Sequence, residues 1–301
     1  EGASFLLKNS PLRGRANSLR QEKDTVSILQ GSLTSCELKD NTWRLTSNQI
    51  ELKKAETFGS ASNVVLRVKG LPIGYLPFMQ FPVGKERKTG FLWPAVGHSN
   101  GGGTDLAIPY YFNISPSQDA IYTLRNISQR GLMHEGELRF LNSFSKNAIG
   151  SAFLHKDKQT LPSSNEENKE DDRWLLQIDH RGRSGPWSSR INYTNISDIY
   201  YFDDLGDFSS SDSEFTRFQN RTNASSLLQM GSLQYASGRW DANLEFRNFK
   251  SLEPTKPKQY SVLPRLTLAG GIKLGPVNAK GFLQATEFAS NADEAPTGKR
   301  L

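Results

Sequence analysis

The sequence predicts an all-β protein in two parts. A stacked antiparallel β-fold, such as a jelly roll, covers residues 1–84, and antiparallel strands of a transmembrane β-barrel cover residues 85–301. Three observations predict this. Apolar and polar residues alternate with period two along most of the chain, whereas helical periodicity is scarce. From about residue 141 onward, short and long connections alternate. Mean hydropathy is −0.56 and no apolar run approaches about 18 residues, which excludes a membrane-spanning helix. A barrel is not excluded, because its alternating strands average out as polar.

The first part is read from the strand units "TVSILQGSLTSCEL", "TWRLTSNQIEL" and "NVVLRVKGLPIGYL", set apart by the polar turns "KD" and "KKAETFGSAS". In the last unit Val64, Leu66 and Val68 share one face, and Val65, Arg67 and Lys69 share the other. The run "GKERKTG", with Lys85, Arg87 and Lys88, reads as a charged junction between two β-domains.

Beyond the junction the strands carry one apolar and one charged face. In "GELRFLN" Leu138 and Phe140 oppose Glu137 and Arg139, and in "WLLQIDHR" Trp174, Leu176 and Ile178 oppose Gln177, Asp179 and Arg181. In "ANLEFRNF" Ala242, Leu244 and Phe246 oppose Asn243, Glu245 and Arg247, and in "SVLPRLTLA" Val262, Leu266 and Leu268 oppose Arg265 and Thr267. The links "NSFSKN", "GRSGP" and "SGR" are short, while "KDKQTLPSSNEENKEDDR", "DIYYFDDLGDFSSSDSE" and "KSLEPTKPKQ" are long. A barrel with tight turns on one side of a membrane and loops on the other sorts its links in this way. A soluble sandwich also alternates faces but has no reason to sort loop length by parity. A soluble sugar-binding β-sandwich stays open as an alternative, and it predicts folding in water without detergent.

Composition narrows the function classes. The net charge is +6, from 37 basic and 31 acidic residues that are interspersed, without a basic helix or an aromatic RNA-binding signature, so nucleic acid is not an expected partner. The histidines His98, His134, His155 and His180 have no partner at metal-ligand spacing, so no metal and no cofactor is expected. The acidic loop "YFDDLGD" offers Asp203, Asp204 and Asp207, but a single acidic loop of this kind reads as solvated rather than catalytic, and the chain does not read as an enzyme. The lone Cys36 is either a buried free thiol or half of a bridge whose partner lies elsewhere. Because the chain starts at Glu1 and ends at Leu301 in mid-pattern, a processed or truncated piece is expected.

The stretch "YLPFMQFPVGKERKTGFLWP" poses a separate question. It is aromatic yet contains Pro77, Pro82 and Pro94, each lacking the N–H that a ladder needs. Together with "GSLTSCEL", "TWRL", "IPYYFNISPSQDA" and "GPVNAKGFLQATEF", this stretch resembles the LptD family of outer-membrane lipopolysaccharide-assembly proteins. The resemblance implies the end of a periplasmic (OstA-like) β-jelly-roll whose apolar groove carries acyl chains, with Val64, Leu66 and Val68 on that path. It further implies the first part of a very large barrel, incomplete in this chain, in the outer membrane of a Gram-negative bacterium.

The partners implied are lipopolysaccharide, outer-membrane lipid, the plug lipoprotein LptE and the periplasmic bridge protein LptA. In the family the first and last barrel strands meet at a seam through which lipopolysaccharide leaves. The resemblance puts Pro94 in the first barrel strand and Pro109 in the second barrel strand, as parts of a lateral gate, with Pro77 and Pro82 shaping the exit of the jelly roll. It places Lys85, Arg87 and Lys88 near the phosphates of the passing lipid, and Cys36 in a disulfide with a cysteine outside this chain. The expected function is lipopolysaccharide transport and insertion into the outer leaflet. The alternative is a general porin or transporter barrel with an attached β-domain.

Overall fold

The computed structural model describes residues 2–6, 13–34, 36, 42–53, 58–82, 87–99, 101–159, 171–206, 226–253, 259–289 and 298–300. The chain divides into two compact units, residues 1–99 with 104–114, and residues 100–103 with 115–301. The all-β, antiparallel expectation holds. The described residues contain a single short helix, α1 (Tyr201–Leu205).

In the first unit, β1 (Ala3–Leu6), β2 (Arg13–Glu22), β3 (Thr25–Thr34), β4 (Trp43–Lys53), β5 (Phe58–Val68) and β6 (Leu71–Pro82) form a six-stranded antiparallel sheet in sequence order. Alternation sends one face of each strand into a common core of Ile28, Leu33, Trp43, Leu45, Ile50, Val64, Leu66, Met79 and Phe81. Burying each large apolar side chain stabilises the unit by about 1.5–3 kcal/mol relative to exposure. The opposite face is polar and forms an open pocket of about 720 Å³ lined by Arg15, Ser32, Arg44, Thr46 and Arg67 among others.

The unit "NVVLRVKGLPIGYL" is not one strand. Lys69 and Gly70 adopt positive φ values of 48° and 86° and turn the chain back, so β5 ends at Val68 and β6 begins at Leu71. Two consecutive residues with positive φ are what a tight hairpin needs to match strand twist. The stretch from Tyr75 to Pro82 is likewise regular strand, and its prolines sit where the ladder tolerates them. β6 is the edge of the sheet, Pro72 lies at a register shift, Pro77 lies opposite Asn63 with its φ of 50°, and Pro82 ends the strand. The same unit contains β7 (Gly90–Phe91), β8 (Ala95–Ser99) and β9 (Gly103–Ser115), with β7 and β8 both pairing β9.

The second unit is built from β10 (Gln118–Ile127), β11 (Gly131–Leu141), β12 (Ser145–Asp157), β13 (Asp171–Ser184), β14 (Trp187–Ile196), β15 (Ser226–Ser237), β16 (Trp240–Ser251), β17 (Ser261–Leu274), β18 (Val277–Ala289) and β19 (Gly298–Arg300). Each strand pairs antiparallel with its sequence neighbours, and among the described residues no pairing joins β19 back to β10. From β11 onward the links sort by length: residues 142–144, 185–186, 238–239 and 275–276 turn tightly at one end, whereas the strand ends joined by 158–170, 197–225, 252–260 and 290–297 are at the other, where the earlier link 128–130 is short. Gly238 and Gly275 supply φ values of 50° and 60° at two of the two-residue turns.

The two faces of this second sheet are reversed relative to a water-soluble protein. Leu138 is 39% exposed and Phe246 45%, while their strand neighbours Glu137 and Glu245 are only 7% and 9% exposed. Asp119, Arg125, Gln177 and Asp179 are also buried, and Ile149, Trp174, Leu233, Leu266 and Leu268 are exposed. Rows such as Leu233–Leu244–Leu266 run across β15, β16 and β17 on the apolar face.

Val262 departs from the expected alternation. Arg247 pairs with Val262 and Glu245 with Arg265, so Leu263 and Pro264 form a bulge that shifts the register. The extra residue turns Val262 onto the charged face, where it is buried, while Leu266 and Leu268 stay exposed on the other.

Candidate functional site

Two constellations stand out, one in each unit. The first begins at the break between β7 and β8. Gly90 and Phe91 pair with Tyr111 and Tyr110. The next residue, Leu92, donates its N–H to the Pro109 carbonyl at 2.9 Å. In an antiparallel hydrogen-bonded pair the facing residue returns a second bond. Pro109 has no N–H, so the return bond to the Leu92 carbonyl is missing, and regular pairing of β7 stops there.

Pro94 does not lie within a strand, as the resemblance implied. It is buried in the non-strand segment Leu92–Pro94, one residue before β8, so the ladder interruption at this place belongs to Pro109. The break releases Trp93 from strand geometry. Trp93 packs on the core of the six-stranded sheet, stacked on Trp43 with ring centroids 6.0 Å apart and tilted against Phe81 at 5.5 Å. Phe91, Val96, Leu106 and Ile108 pack against the same core.

The other expected residues fall around this core. Val64 is 2% and Leu66 8% exposed, both inside the cluster, and Val68 packs against it, whereas Val65 and Arg67 line the polar face. Cys36 also packs against the cluster as a free, half-buried thiol. Its N–H donates to Thr34 Oγ1 at 3.1 Å, and the Thr34 hydroxyl donates to the Trp43 carbonyl at 2.7 Å. Arg87 and Lys88 are exposed, and the Arg87 carbonyl accepts a hydrogen bond from Asn113 Nδ2 at 2.9 Å. Lys85 lies outside the described residues.

The second constellation was missed by sequence reasoning. At the long-link end of the second sheet, α1 is held down by buried ion pairs. Arg173, fully buried, donates to Asp157 at 3.1 Å, Asp198 at 2.9 Å and Asp204 at 2.7 Å. Arg130 pairs with Asp157 at 2.7 Å and with Asp204 at 3.0 Å. Arg125 reaches the Leu205 carbonyl at 2.8 Å. Beneath the charges Tyr201, Phe202 and Leu205 pack on Ile127, Met133, Leu154, Leu175 and Ile196. Burial pushes the Tyr201 phenol pKa well up, so it stays a neutral hydroxyl.

In the acidic loop Asp204 is therefore held in ion pairs and only partly exposed, Asp203 is exposed, and Asp207 lies outside the described residues. The usable signal was three arginines close to strand ends, which only the folded register brings to one loop. Among the described residues no group of three or more His, Cys, Asp or Glu is placed to hold a metal ion.

The family model described as "LPS transport system D", LptD, matches residues 171–301. The LPS-assembly protein LptD of Pseudomonas syringae pv. syringae (strain B728a) is 34% identical over 282 residues, covering 93% of this chain and 29% of the relative. The protein of the same name from Ectopseudomonas mendocina (strain ymp) is 33% identical over 292 residues, covering 96% of this chain and 30% of the relative. That of Pseudomonas aeruginosa (strain LESB58) is 33% identical over 290 residues, with 96% and 30% covered. The chain belongs to the LptD family. It spans about 30% of the length of the curated relatives it matches. Nothing in these relatives favours the general-porin alternative.

The charge cluster yields a prediction. Removing one partner of a buried ion pair typically costs about 3–5 kcal/mol, because the remaining charge is stranded. Arg173→Leu should destabilise the protein by that order and expose residues 197–206 to proteolysis, whereas Asp203→Asn should change neither. Denaturant unfolding with limited proteolysis checks this, and equal behaviour of the two variants would contradict the assigned roles.

Proposed function

We propose that this chain is part of a lipopolysaccharide translocon in the outer membrane. Residues 1–84 would supply the last part of a periplasmic β-jelly-roll, and residues 85–301 the first strands of a large barrel. The observation that carries this reading is the reversal of faces in the second unit, with apolar side chains outward and charges buried. Lipid accepts such a surface and water does not. The sorting of link lengths and the names of the relatives support it.

On this reading the apolar core around Val64, Leu66 and Val68 belongs to the path of the acyl chains, and Arg87 and Lys88, with Lys85, attract the lipid's phosphates. The plug lipoprotein LptE and the bridge protein LptA are the proposed protein partners. The gate is the one-sided ladder at Leu92 and Pro109, with Pro94 marking the end of the break. Cys36 forms a disulfide with a cysteine beyond this chain, in an oxidising compartment that permits it.

Three outcomes are expected. In the full-length protein, Leu266→Arg should cost roughly 2–4 kcal/mol because it puts a charge into hydrocarbon, while Thr267→Arg, on the buried polar face, should cost much less. Heat-modifiable gel migration and folding yield would separate them, and indistinguishable variants would remove the face assignment. For Cys36, mass spectrometry of non-reduced peptides from the mature protein should recover a cross-linked pair; only free thiol in functional protein would end that claim. Pro109→Ala supplies the missing donor and should strengthen the β7–β9 ladder beside the seam by about 0.5–1.5 kcal/mol. Surface lipopolysaccharide should then appear more slowly at normal protein level, and unchanged delivery would show that Pro109 is an ordinary strand residue.

A further inference from the structure

The apolar face of the second sheet changes character at one end. Ile191, Gly231 and Phe246 form one register row across β14, β15 and β16, and Ile191 and Phe246 are exposed. Two residues further along each strand, on the same face, come Tyr193 and the paired Gln229 and Asn248, and beyond them Asn195 and Lys250. With Ser261 these side chains line an open pocket of about 380 Å³. The groups hold one another in place. Asn248 Nδ2 donates to Gln229 Oε1 at 2.9 Å, Ser261 Oγ donates to Asn248 Oδ1 at 2.6 Å, and Gln229 Nε2 donates to the Thr194 carbonyl at 3.1 Å. Lys250 Nζ donates to Asn195 Oδ1 at 2.9 Å and to the Ile196 carbonyl, and lies 6.0 Å from the Trp174 ring centroid.

We propose that this patch is a binding site for the phosphorylated sugar headgroup of a glycolipid in the outer leaflet, resting on the reading of residues 85–301 as barrel wall. Bare amides on a wall facing hydrocarbon are costly, so a polar patch here must lie at headgroup depth. Its position agrees. The residues come from the end of β14, the start of β15, the end of β16 and the start of β17, beside links 197–225 and 252–260 and away from the two-residue turns. In outer-membrane barrels the longer links lie on the cell-surface side.

The chemistry matches a phosphosugar better than a simple ion. Amides and hydroxyls fixed by mutual hydrogen bonds suit sugar hydroxyls, and an aromatic ring lies beside them. Lys250 uses two of its three donors on the protein, which leaves one for a phosphate oxygen.

The test is calorimetric titration of the full-length protein in detergent with three probes: deacylated lipopolysaccharide, the same glycan after dephosphorylation, and inorganic phosphate. Deacylated lipopolysaccharide should bind, should bind at least tenfold more weakly to Asn248→Leu and to Lys250→Gln, and should retain affinity for Lys250→Arg. The dephosphorylated glycan should bind more weakly than its parent, and inorganic phosphate should not bind measurably. Unchanged affinity in both weakened variants, absence of glycan binding to wild type, or equal binding of inorganic phosphate would overturn the proposal. Because the probes lack acyl chains, no transport is needed. Photo-crosslinkers at positions 64, 66 and 68, placed on the acyl path, test the transport reading separately in cells.

Discussion

The antiparallel hydrogen-bond ladder running from β10 to β19 is the interaction on which the second unit depends. Among the described residues no second layer covers the apolar face, so each strand is held chiefly by the strands beside it and by what its inner face carries. A bilayer tolerates such a sheet where neighbouring strands satisfy each other's backbone groups. The register therefore decides everything that follows, since a slip of one residue would move Leu244 to the charged face and Glu245 to the apolar face. The bulge at Leu263 and Pro264 shows how local such a slip must stay: one extra residue reverses Val262, and alternation resumes from Arg265 onward.

The inner face needs its own solution. Buried charges are tolerated there because they are paired: Arg139 with Asp119, Arg247 with Glu245, and Arg173 with three aspartates. Individually such pairs add little net stability, but removing a partner is expensive. This gives the cluster around Arg173 a fixing role, because it ties the segment after β14 to β12 and β13 through contacts that cannot be lost one at a time without penalty.

Much of the fold was legible in the sequence because strand alternation is written at period two. Leu138 against Glu137 and Leu266 against Thr267 needed no tertiary information. Three features were not legible, each for a physical reason. The β5–β6 turn at Lys69 and Gly70 carries only one glycine between two apolar runs, so the two strands read as one. The bulge at Pro264 looks like an ordinary strand proline until the partner register is known. The ion cluster joins residues from four separate segments, and no local pattern announces it. The residues of the candidate gate were legible only through the family motif, and the motif placed Pro94 in a strand that the chain had already left.

Trp93 gives the break at Leu92 a consequence beyond a missing bond. The side chain freed by the interruption is seated against Trp43 and Phe81, so the rung of β7–β9 that lacks its return bond is joined directly to an aromatic group in the core of the six-stranded sheet. Pulling β7 away from β9 at that point also draws Trp93 out of its socket, and the displaced ring supplies a restoring force.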